Sequence, residues 1–227
     1  MKIEILHLIE GAKKAKGLTV VIDVFRAYSM EAYLMSLGAE KIIPVSLTED
    51  AYKLKELHPE YLLAGERHGK ILPGFDIGNS PSTINVSVKG KTVIHTTSAG
   101  TQGIANAVNA TEILGGSLVN AKATANYIKA KKPQQLSLVC MGLEAKEQAD
   151  EDTLCAEYIK SIIEDKPFDI KGGIEKLKNT TGKKFFDEKE QSVFPLKDFF
   201  MCTEYDKFKF VLTLKEDETG RKYICKG

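Results

Sequence analysis

Short hydrophobic runs alternate with segments of helical periodicity in the first part of the chain. Continuous apolar runs, typical of strands covered on both faces, occur at residues 19–25, 41–45 and 61–64. Between them, residues 26–37 and 47–57 place apolar side chains on one helical face, which predicts two helices. Gly38 is predicted to end the first helix and Thr48 to cap the second. Pro44 indicates a strand end or an edge strand.

The same order of elements recurs further along the chain. We predict strands at residues 92–97, 112–115 and 136–141, and helices at residues 102–108 and 119–131. The run Thr19-Val-Val-Ile-Asp also aligns with Thr92-Val-Ile-His-Thr. Two β-α-β-α-β units, residues 18–66 and 91–142, therefore follow one another. They reflect either an internal duplication or the general similarity of parallel α/β proteins.

This alternation predicts an α/β protein with three layers, in which helices cover both faces of a largely parallel or mixed sheet. Right-handed crossovers would place the strand ends of both units along comparable edges. We expect residues 1–165 to form this core and residues 166–227 to pack on it as an extension. The extension is predicted to contain a helix at 168–178, an edge strand at 208–214 and a returning strand at 223–225. We expect its aromatic side chains to contact the core or a second subunit rather than to take part in catalysis.

Composition narrows the possible partners. The 227 residues are 43% hydrophobic, which suffices for a large core. The 32 basic and 31 acidic side chains are interspersed and leave a net charge of +1, which argues against nucleic-acid binding. The four cysteines form no CxxC pair, so we expect free thiols in a reducing cytoplasm. We predict no signal peptide or membrane span. We expect the protein to form a homo-oligomer, specifically a dimer.

The segment from Gly65 to Pro81 combines turn-forming residues with reactive side chains. Its glycines and prolines exclude a long helix and let the backbone approach a ligand closely. Loops that follow strands are where α/β proteins usually keep their sites. The candidates here are Glu66, Arg67, Asp76, Asn79 and Ser80. The alternative is an ordinary connection whose glycines only form turns.

Three further segments carry candidate side chains. Asp23 and Arg26 follow the first strand, where a carboxylate suits a hard cation and a guanidinium suits an anion, unless the two simply pair. Hydroxyls and N–H groups at a helix start form either an anion cradle or a simple cap. The candidates in that segment are Thr96, Thr97, Ser98, Gly100 and Thr101. Glu151 and Asp152 open a later helix, where they bind metal or complement the helix dipole.

Five motifs within residues 18–165 together resemble the 2-phosphosulfolactate phosphatase family. They are Asp23-Val-Phe-Arg-Ala27, Gly65-Glu-Arg67, Gly74-Phe-Asp-Ile-Gly-Asn-Ser-Pro81, Thr96-Thr97 with Gly100-Thr101, and Glu151-Asp152. The resemblance implies a magnesium-dependent enzyme that hydrolyses the phosphate ester of a 2-hydroxy acid carrying a sulfonate. Its product would be 3-sulfolactate, an intermediate on one route to coenzyme M. The chain differs in having Ser98-Ala99 where many members have a single Asn before Gly-Thr.

The resemblance and the residue chemistry together give a hypothesis for the site. We expect Asp23, Glu66 and Asp76 to surround Mg²⁺ directly or through water. Glu151 and Asp152 are further candidate ligands. The two motif arginines and the hydroxyl-rich segment would hold anionic oxygens, and the Asn-Ser pair would orient the substrate. Attack by water and a covalent intermediate both remain open.

Parts of the sequence also match other functions. Arg67-His68-Gly69 matches the core of the histidine phosphatase signature, although it follows the third predicted strand rather than the first. A binding protein for small anions would use the same residues without catalysis. Asp23 lacks the second Asp two residues later that aspartyl-phosphate phosphatases use. Cys140 lacks the Arg six residues later that cysteine phosphatases need.

Overall fold

The computed structural model describes the whole chain, from Met1 to Gly227. The strands are β1 (Lys2–His7), β2 (Gly17–Ile22), β3 (Lys41–Pro44), β4 (Leu62–Arg67), β5 (Lys70–Ile71), β6 (Thr92–Thr96), β7 (Ala110–Gly116), β8 (Gln135–Cys140), β9 (Leu212–Glu216) and β10 (Lys222–Lys226). The helices are α1 (Leu8–Lys14), α2 (Ala27–Ser36), α3 (Thr48–Leu57), α4 (Gly100–Asn106), α5 (Ala121–Lys131), α6 (Asp150–Ile163), α7 (Ile170–Leu177) and α8 (Leu196–Thr203). None of these helices has the length and apolar character needed to span a membrane.

All the strands join in one mixed sheet, in the order β1-β8-β2-β7-β9-β10-β3-β6-β4-β5. The first four strands in this order are parallel to one another, and so are β3, β6 and β4. The antiparallel hairpin of β9 and β10 joins these two parallel sets. Helices pack on both faces of the sheet. The predicted three-layer α/β/α architecture is therefore confirmed.

The two predicted β-α-β-α-β units interleave in the sheet. β2 lies between β7 and β8, and β6 lies between β3 and β4. The first strand of each unit is thus flanked by the two later strands of the other unit. Because neither unit forms a sheet by itself, the two cannot be separate domains. The reciprocal pairing is what a duplication with exchanged strands would produce, and the duplication stays a prediction.

The two parallel sets run in opposite directions, because three successive antiparallel pairings separate β7 from β3. The expectation that the strand ends of both units share comparable edges is therefore wrong. The segments that follow β2 and β6 nevertheless come together. The two meet where Gly100 packs against Ala27.

Several elements differ from the sequence prediction. β1 has no predicted counterpart, and the structure pairs it with β8. Thr48 is the first residue of α3, and Leu47 occupies the cap position without a side-chain hydrogen bond, so the predicted Thr48 cap is wrong. Pro44 ends β3, as predicted. β9 is not an edge strand but lies between β7 and β10, because position in a sheet depends on distant partners and leaves no local signal.

α2 forms the rigid support for the turn that follows β2. Every residue from Ala27 to Met35 in this helix is buried. α2 packs with α1 and α4 in the core on one face of the sheet, whereas α5 and α6 pack in the core on the other face. A helix that is enclosed in this way fixes the position of the turn before it, which contains Asp23 and Arg26.

Candidate active site

The segments at the ends of β2, β4, β6 and β8 meet at one pocket with a volume of about 130 Å³. Its ionisable wall residues are Asp23, Arg26, Glu66, His68, Glu144, Glu151 and Lys184. The structure thus brings six of the sequence-predicted site residues to one place: Asp23, Arg26, Glu66, Asn79, Ser98 and Glu151. Strand ends from both predicted units therefore contribute to one small pocket.

Asp23 follows β2 directly and is only 6% exposed. Its Oδ1 accepts a hydrogen bond of 3.1 Å from the Ala27 N–H at the start of α2. Burial, together with the smaller effect of the charges of Glu66 and Glu151, raises the pKa of Asp23 to about 7 against the effect of that N–H. A carboxyl group crowded by other carboxyl groups in this way is stabilised by a proton or by a cation.

Glu66 connects the ends of β4 and β6. Its Oε1 accepts from the Ser98 N–H at 2.8 Å, and its Oε2 accepts from the Gly69 N–H at 2.7 Å. The Ser98 hydroxyl donates a longer bond of 3.3 Å to Oε2. With three donors on its two oxygens, Glu66 has little acceptor capacity left. Its side chain therefore organises the pocket wall more than it offers a free ligand.

Glu151 and Asp152 occupy the first turn of α6 and are both buried. Asp152 accepts 2.8 Å bonds from the Val24 and Gly142 N–H groups, so it connects the ends of β2 and β8 from behind the pocket. Glu151 lines the pocket itself, and its buried Oε2 has no hydrogen-bond partner. Burial raises the pKa of both carboxyl groups.

Both predicted anion-binding arginines are engaged within the protein. Arg26 is 3% exposed, and its Nη1 pairs with Oδ2 of the buried Asp198 at 2.7 Å and donates to the Val193 carbonyl at 2.9 Å. Arg26 does not pair with Asp23. Arg67 lies outside the pocket and donates to the Thr96 hydroxyl at 3.0 Å. Arg26 therefore lines the pocket as the partner of a carboxylate, not as a free cation.

Asp76 does not reach the other carboxyl groups. Its segment lies beside β4 and runs parallel to it, with Ile77 paired to Ala64. Asp76 Oδ2 accepts from the Leu63 N–H at 2.8 Å and lies 3.7 Å from the ammonium of Lys55. These contacts lie toward the start of β4, whereas the pocket is at its end. The structure therefore does not bring Asp76 into the expected ligand set.

Asn79 reaches the pocket and is held from behind by a buried pair. Its Oδ1 lies 3.3 Å from Nε2 of His95, and His95 Nδ1 lies 2.8 Å from a carboxylate oxygen of Glu31. Both residues of that pair are at most 1% exposed. Ser80 is buried outside the pocket, with its hydroxyl 3.3 Å from that of Ser82.

The hydroxyl-rich segment after β6 bonds mainly to itself. The Thr101 N–H donates to the Thr97 hydroxyl at 3.3 Å, and the Thr101 hydroxyl donates to the Thr97 carbonyl at 3.1 Å. Ser98 and Ala99 line the pocket, whereas Thr96, Thr97 and Thr101 do not. These contacts favour the cap interpretation over the anion cradle for the threonines. Gly100 is the contact point with α2, with a Cβ position only 2.7 Å from the Ala27 Cβ.

Besides His68, which the sequence analysis considered only for a histidine phosphatase, the pocket contains residues that the sequence does not single out. Lys184 and Phe194 come from the C-terminal region, which was expected to play no part in the site. His68 and Glu144 form a hydrogen-bonded pair at the mouth, and this pair lowers the pKa of Glu144. Burial lowers the pKa of Lys184, against the effect of nearby Glu151. No local signal marks Lys184 among many lysines, because only the fold brings it to the strand ends.

The carboxyl groups fit a cation that shares its coordination with a ligand. No three acidic, histidine or cysteine side chains are close enough to form a metal cluster by themselves. Mg²⁺, however, usually keeps several waters and is held by one or two carboxylates together with substrate phosphates. Asp23, with its raised pKa, and Glu151, with its unpartnered buried oxygen, meet that lower requirement.

Comparison with known proteins gives a consistent result. The family model described as 2-phosphosulpholactate phosphatase matches residues 3–217. A relative from Bacillus subtilis, named probable 2-phosphosulfolactate phosphatase, is 34% identical over 203 residues, which cover 88% of this chain and 88% of the relative. A relative of the same name from Carboxydothermus hydrogenoformans is 41% identical over 164 residues, covering 72% of this chain and 68% of the relative. A 2-phosphosulfolactate phosphatase is a phosphoric monoester hydrolase, and this chain belongs to the 2-phosphosulfolactate phosphatase family.

Proposed function

We propose that the protein is a magnesium-dependent phosphatase that converts 2-phospho-3-sulfolactate into 3-sulfolactate and phosphate. The observation that carries this proposal is the group of buried carboxyl groups, Asp23, Glu66 and Glu151, where four strand ends meet in a chain of this family. Relatives that share most of its length have names that specify this substrate. A phosphate ester that also bears a carboxylate and a sulfonate needs positive charge in the site.

Asp23 and Glu151 are the residues that would hold Mg²⁺. Glu66 is less suited because three donors already bind its oxygens, and Asp76 is bound elsewhere. When bound, the ion supplies the positive charge that stabilises negative charge on the phosphoryl oxygens. Asp23 is positioned for this by the Ala27 N–H, which fixes one of its oxygens.

The remaining wall residues would orient the substrate. His95 holds the amide oxygen of Asn79, which leaves the amide NH₂ to donate to a substrate oxygen. Glu66 would keep the backbone of Ser98 and Gly69 in place on the opposite wall. Groups that are fixed before the substrate arrives cost no reorganisation during the reaction.

Phosphate release from 2-phospho-3-sulfolactate tests the proposal. The purified protein should release phosphate with Mg²⁺ and lose this activity in EDTA, and Mg²⁺ should restore it. Undiminished release in EDTA would instead indicate a phosphohistidine route through His68. Binding of the ester without release of phosphate would indicate an anion-binding protein.

We also propose that the protein acts as a cytoplasmic homodimer on a route to coenzyme M. Light scattering on the purified protein measures its molar mass and so tests the dimer. A monomer at micromolar concentration would contradict this proposal. Cells that lack the protein should contain less sulfolactate if it acts on this route. A level equal to that of unmodified cells would contradict the proposal.

A further inference from the structure

Lys184 is the cationic side chain on the pocket wall that is not paired with a carboxylate. Arg26 forms a buried ion pair with Asp198, and His68 is bonded to Glu144. Lys184 forms no ion pair and donates no hydrogen bond, although it lines the pocket. The charge of Glu151 acts on it from beyond ion-pair distance, so its positive charge is the one that remains available to an anionic ligand.

Lys184 stands at the boundary between the pocket and a neighbouring groove of about 850 Å³. Lys184 and Phe194 line both spaces. The Lys184 ammonium lies 5.0 Å from the centre of the Phe194 ring and 5.7 Å from that of Phe185. These aromatic faces hold the lysine at the opening without neutralising its charge.

The size of the pocket decides where the substrate must extend. Its volume of about 130 Å³ is slightly smaller than that of a cavity of roughly 150 Å³ that holds one benzene molecule. That space accepts a phosphoryl group and a cation, but not also a three-carbon acid with two further anionic groups. The rest of the substrate must leave the pocket, and three neighbouring spaces share wall residues with it. The groove is the largest of these, at about 850 Å³ against about 450 and 420 Å³, and it alone is lined by three lysines. The path of the substrate therefore passes Lys184.

We infer that Lys184 binds a second anionic group of the substrate, its carboxylate or its sulfonate. This inference rests on the proposed phosphatase function. The lysine thereby determines specificity for phosphate esters that carry such a group in addition to the phosphate. An ammonium forms charge-assisted hydrogen bonds with either group, and losing one weakens binding by roughly ten- to a hundredfold.

Three substrates and two variants test this inference. The substrates are 2-phospho-3-sulfolactate, 2-phospholactate without the sulfonate, and the phosphate ester of 2-hydroxypropanesulfonate without the carboxylate. Lys184→Gln should raise KM for the full substrate by roughly ten- to a hundredfold and change kcat little. The effect should shrink for whichever substrate lacks the group that Lys184 binds. Lys184→Arg should keep most of the affinity, because it keeps the charge.

Lys189→Gln is the matched control. Lys189 lies in the same C-terminal segment but is exposed and lines neither the pocket nor the groove. Its variant should behave as the wild type with all three substrates. An equal loss for all three substrates in Lys184→Gln would overturn the inference, because Lys184 would then act on the phosphoryl group or on the fold. Turnover of 2-phospho-3-sulfolactate by the wild type tests the proposed function separately.

Binding of 3-sulfolactate gives a measurement that does not depend on turnover. This compound has no phosphate, so calorimetric titration reports only on the remaining anionic groups. Binding to Lys184→Gln should be at least about tenfold weaker than binding to Lys189→Gln. Equal affinities would overturn the assignment of Lys184 even if the enzyme hydrolyses its ester.

Discussion

The turns after β2 and β6 are built alike but differ in charge. Asp23 Oδ1 accepts from the N–H four residues later at 3.1 Å, and the Thr97 hydroxyl accepts from the N–H four residues later at 3.3 Å. The next residue of each turn, Val24 or Ser98, donates its N–H to a buried carboxylate at 2.8 Å. The same backbone arrangement thus occurs twice. Only the turn after β2 places an ionisable group in the pocket.

The two buried carboxylates extend this comparison. Asp152 connects the turn after β2 with the end of β8, and Glu66 connects the turn after β6 with the end of β4. Glu66 lines the pocket, whereas Asp152 lies behind it. The scaffold is therefore repeated, while the chemistry is not. The difference indicates that hydrogen-bonding geometry can be shared by both halves and that reactivity depends on which carboxyl groups face the pocket.

The largest effect is expected from Asp23→Asn. This change keeps an oxygen for the Ala27 N–H but removes the negative charge, so kcat/KM for phosphate release should fall by at least about 10²-fold. Asp76→Asn is the matched control and should keep most of the activity, because Asp76 contacts Leu63 and Lys55 away from the pocket. Steady-state kinetics decide between them. A larger loss of kcat/KM in Asp76→Asn than in Asp23→Asn would place the reactive carboxylate on the 65–81 segment. The turn after β2 would then not differ from the turn after β6 in its chemistry.

The second prediction concerns stability without divalent metal. Asp23 has a pKa of about 7 in the fold against 3.8 as its usual value, so the folded protein holds a proton that the unfolded chain loses. Stability should therefore fall as pH rises from about 4 to about 7 and then level off. The limit is about 4 kcal/mol, since each pKa unit corresponds to 1.36 kcal/mol.

Chemical denaturation in EDTA across this pH range measures the slope. Asp23→Asn should reduce the slope without abolishing it, because Glu151 and Asp152 also have raised pKa values. Mg²⁺ at pH 8 should stabilise the wild type more than this variant, since the ion relieves the repulsion between carboxylates. A slope that is unchanged by Asp23→Asn would show that Asp23 is ionised in the fold throughout.

The sequence predicts the two units, most strands and the carboxylates at the strand ends, because these depend on local pattern and on motifs. It does not predict that β9 lies in the middle of the sheet or that the units exchange strands, since both depend on pairings between distant residues. Asp76 and Lys184 show the same limit within the site. The motif around Asp76 is specific, but its backbone lies beside the start of β4 and keeps the side chain away from the pocket. Lys184 lies in a segment without a motif, and the fold brings it to the pocket.

The third prediction addresses the contact between the two turns. A Cβ on Gly100 would lie 2.7 Å from the Ala27 Cβ and 3.1 Å from Asp23 Oδ2. Gly100→Ala should therefore push α4 away from Asp23, with a loss of about 1–3 kcal/mol in the free energy of unfolding. Activity should fall with it, because Asp23 shifts. Gly78→Ala is the control, since its Cβ would meet only Ile71 at an ordinary 3.5 Å. Equal stability and activity of the two variants would show that the turns are not in tight contact.

The smallest effect is expected from the uncharged turn. Thr97→Val removes the hydroxyl that accepts from the buried Thr101 N–H, which should cost about 1–2 kcal/mol in the free energy of unfolding. Thr97→Ser keeps the hydroxyl and should cost less. Because Thr97 does not line the pocket, both variants should stay within roughly tenfold of the wild-type kcat/KM, a smaller change than removing a group that stabilises the transition state. Kinetics and denaturation of the two variants test this together. A hundredfold loss of activity in Thr97→Val would mean that the hydroxyl binds substrate after all. The two turns would then share the chemistry as well as the geometry.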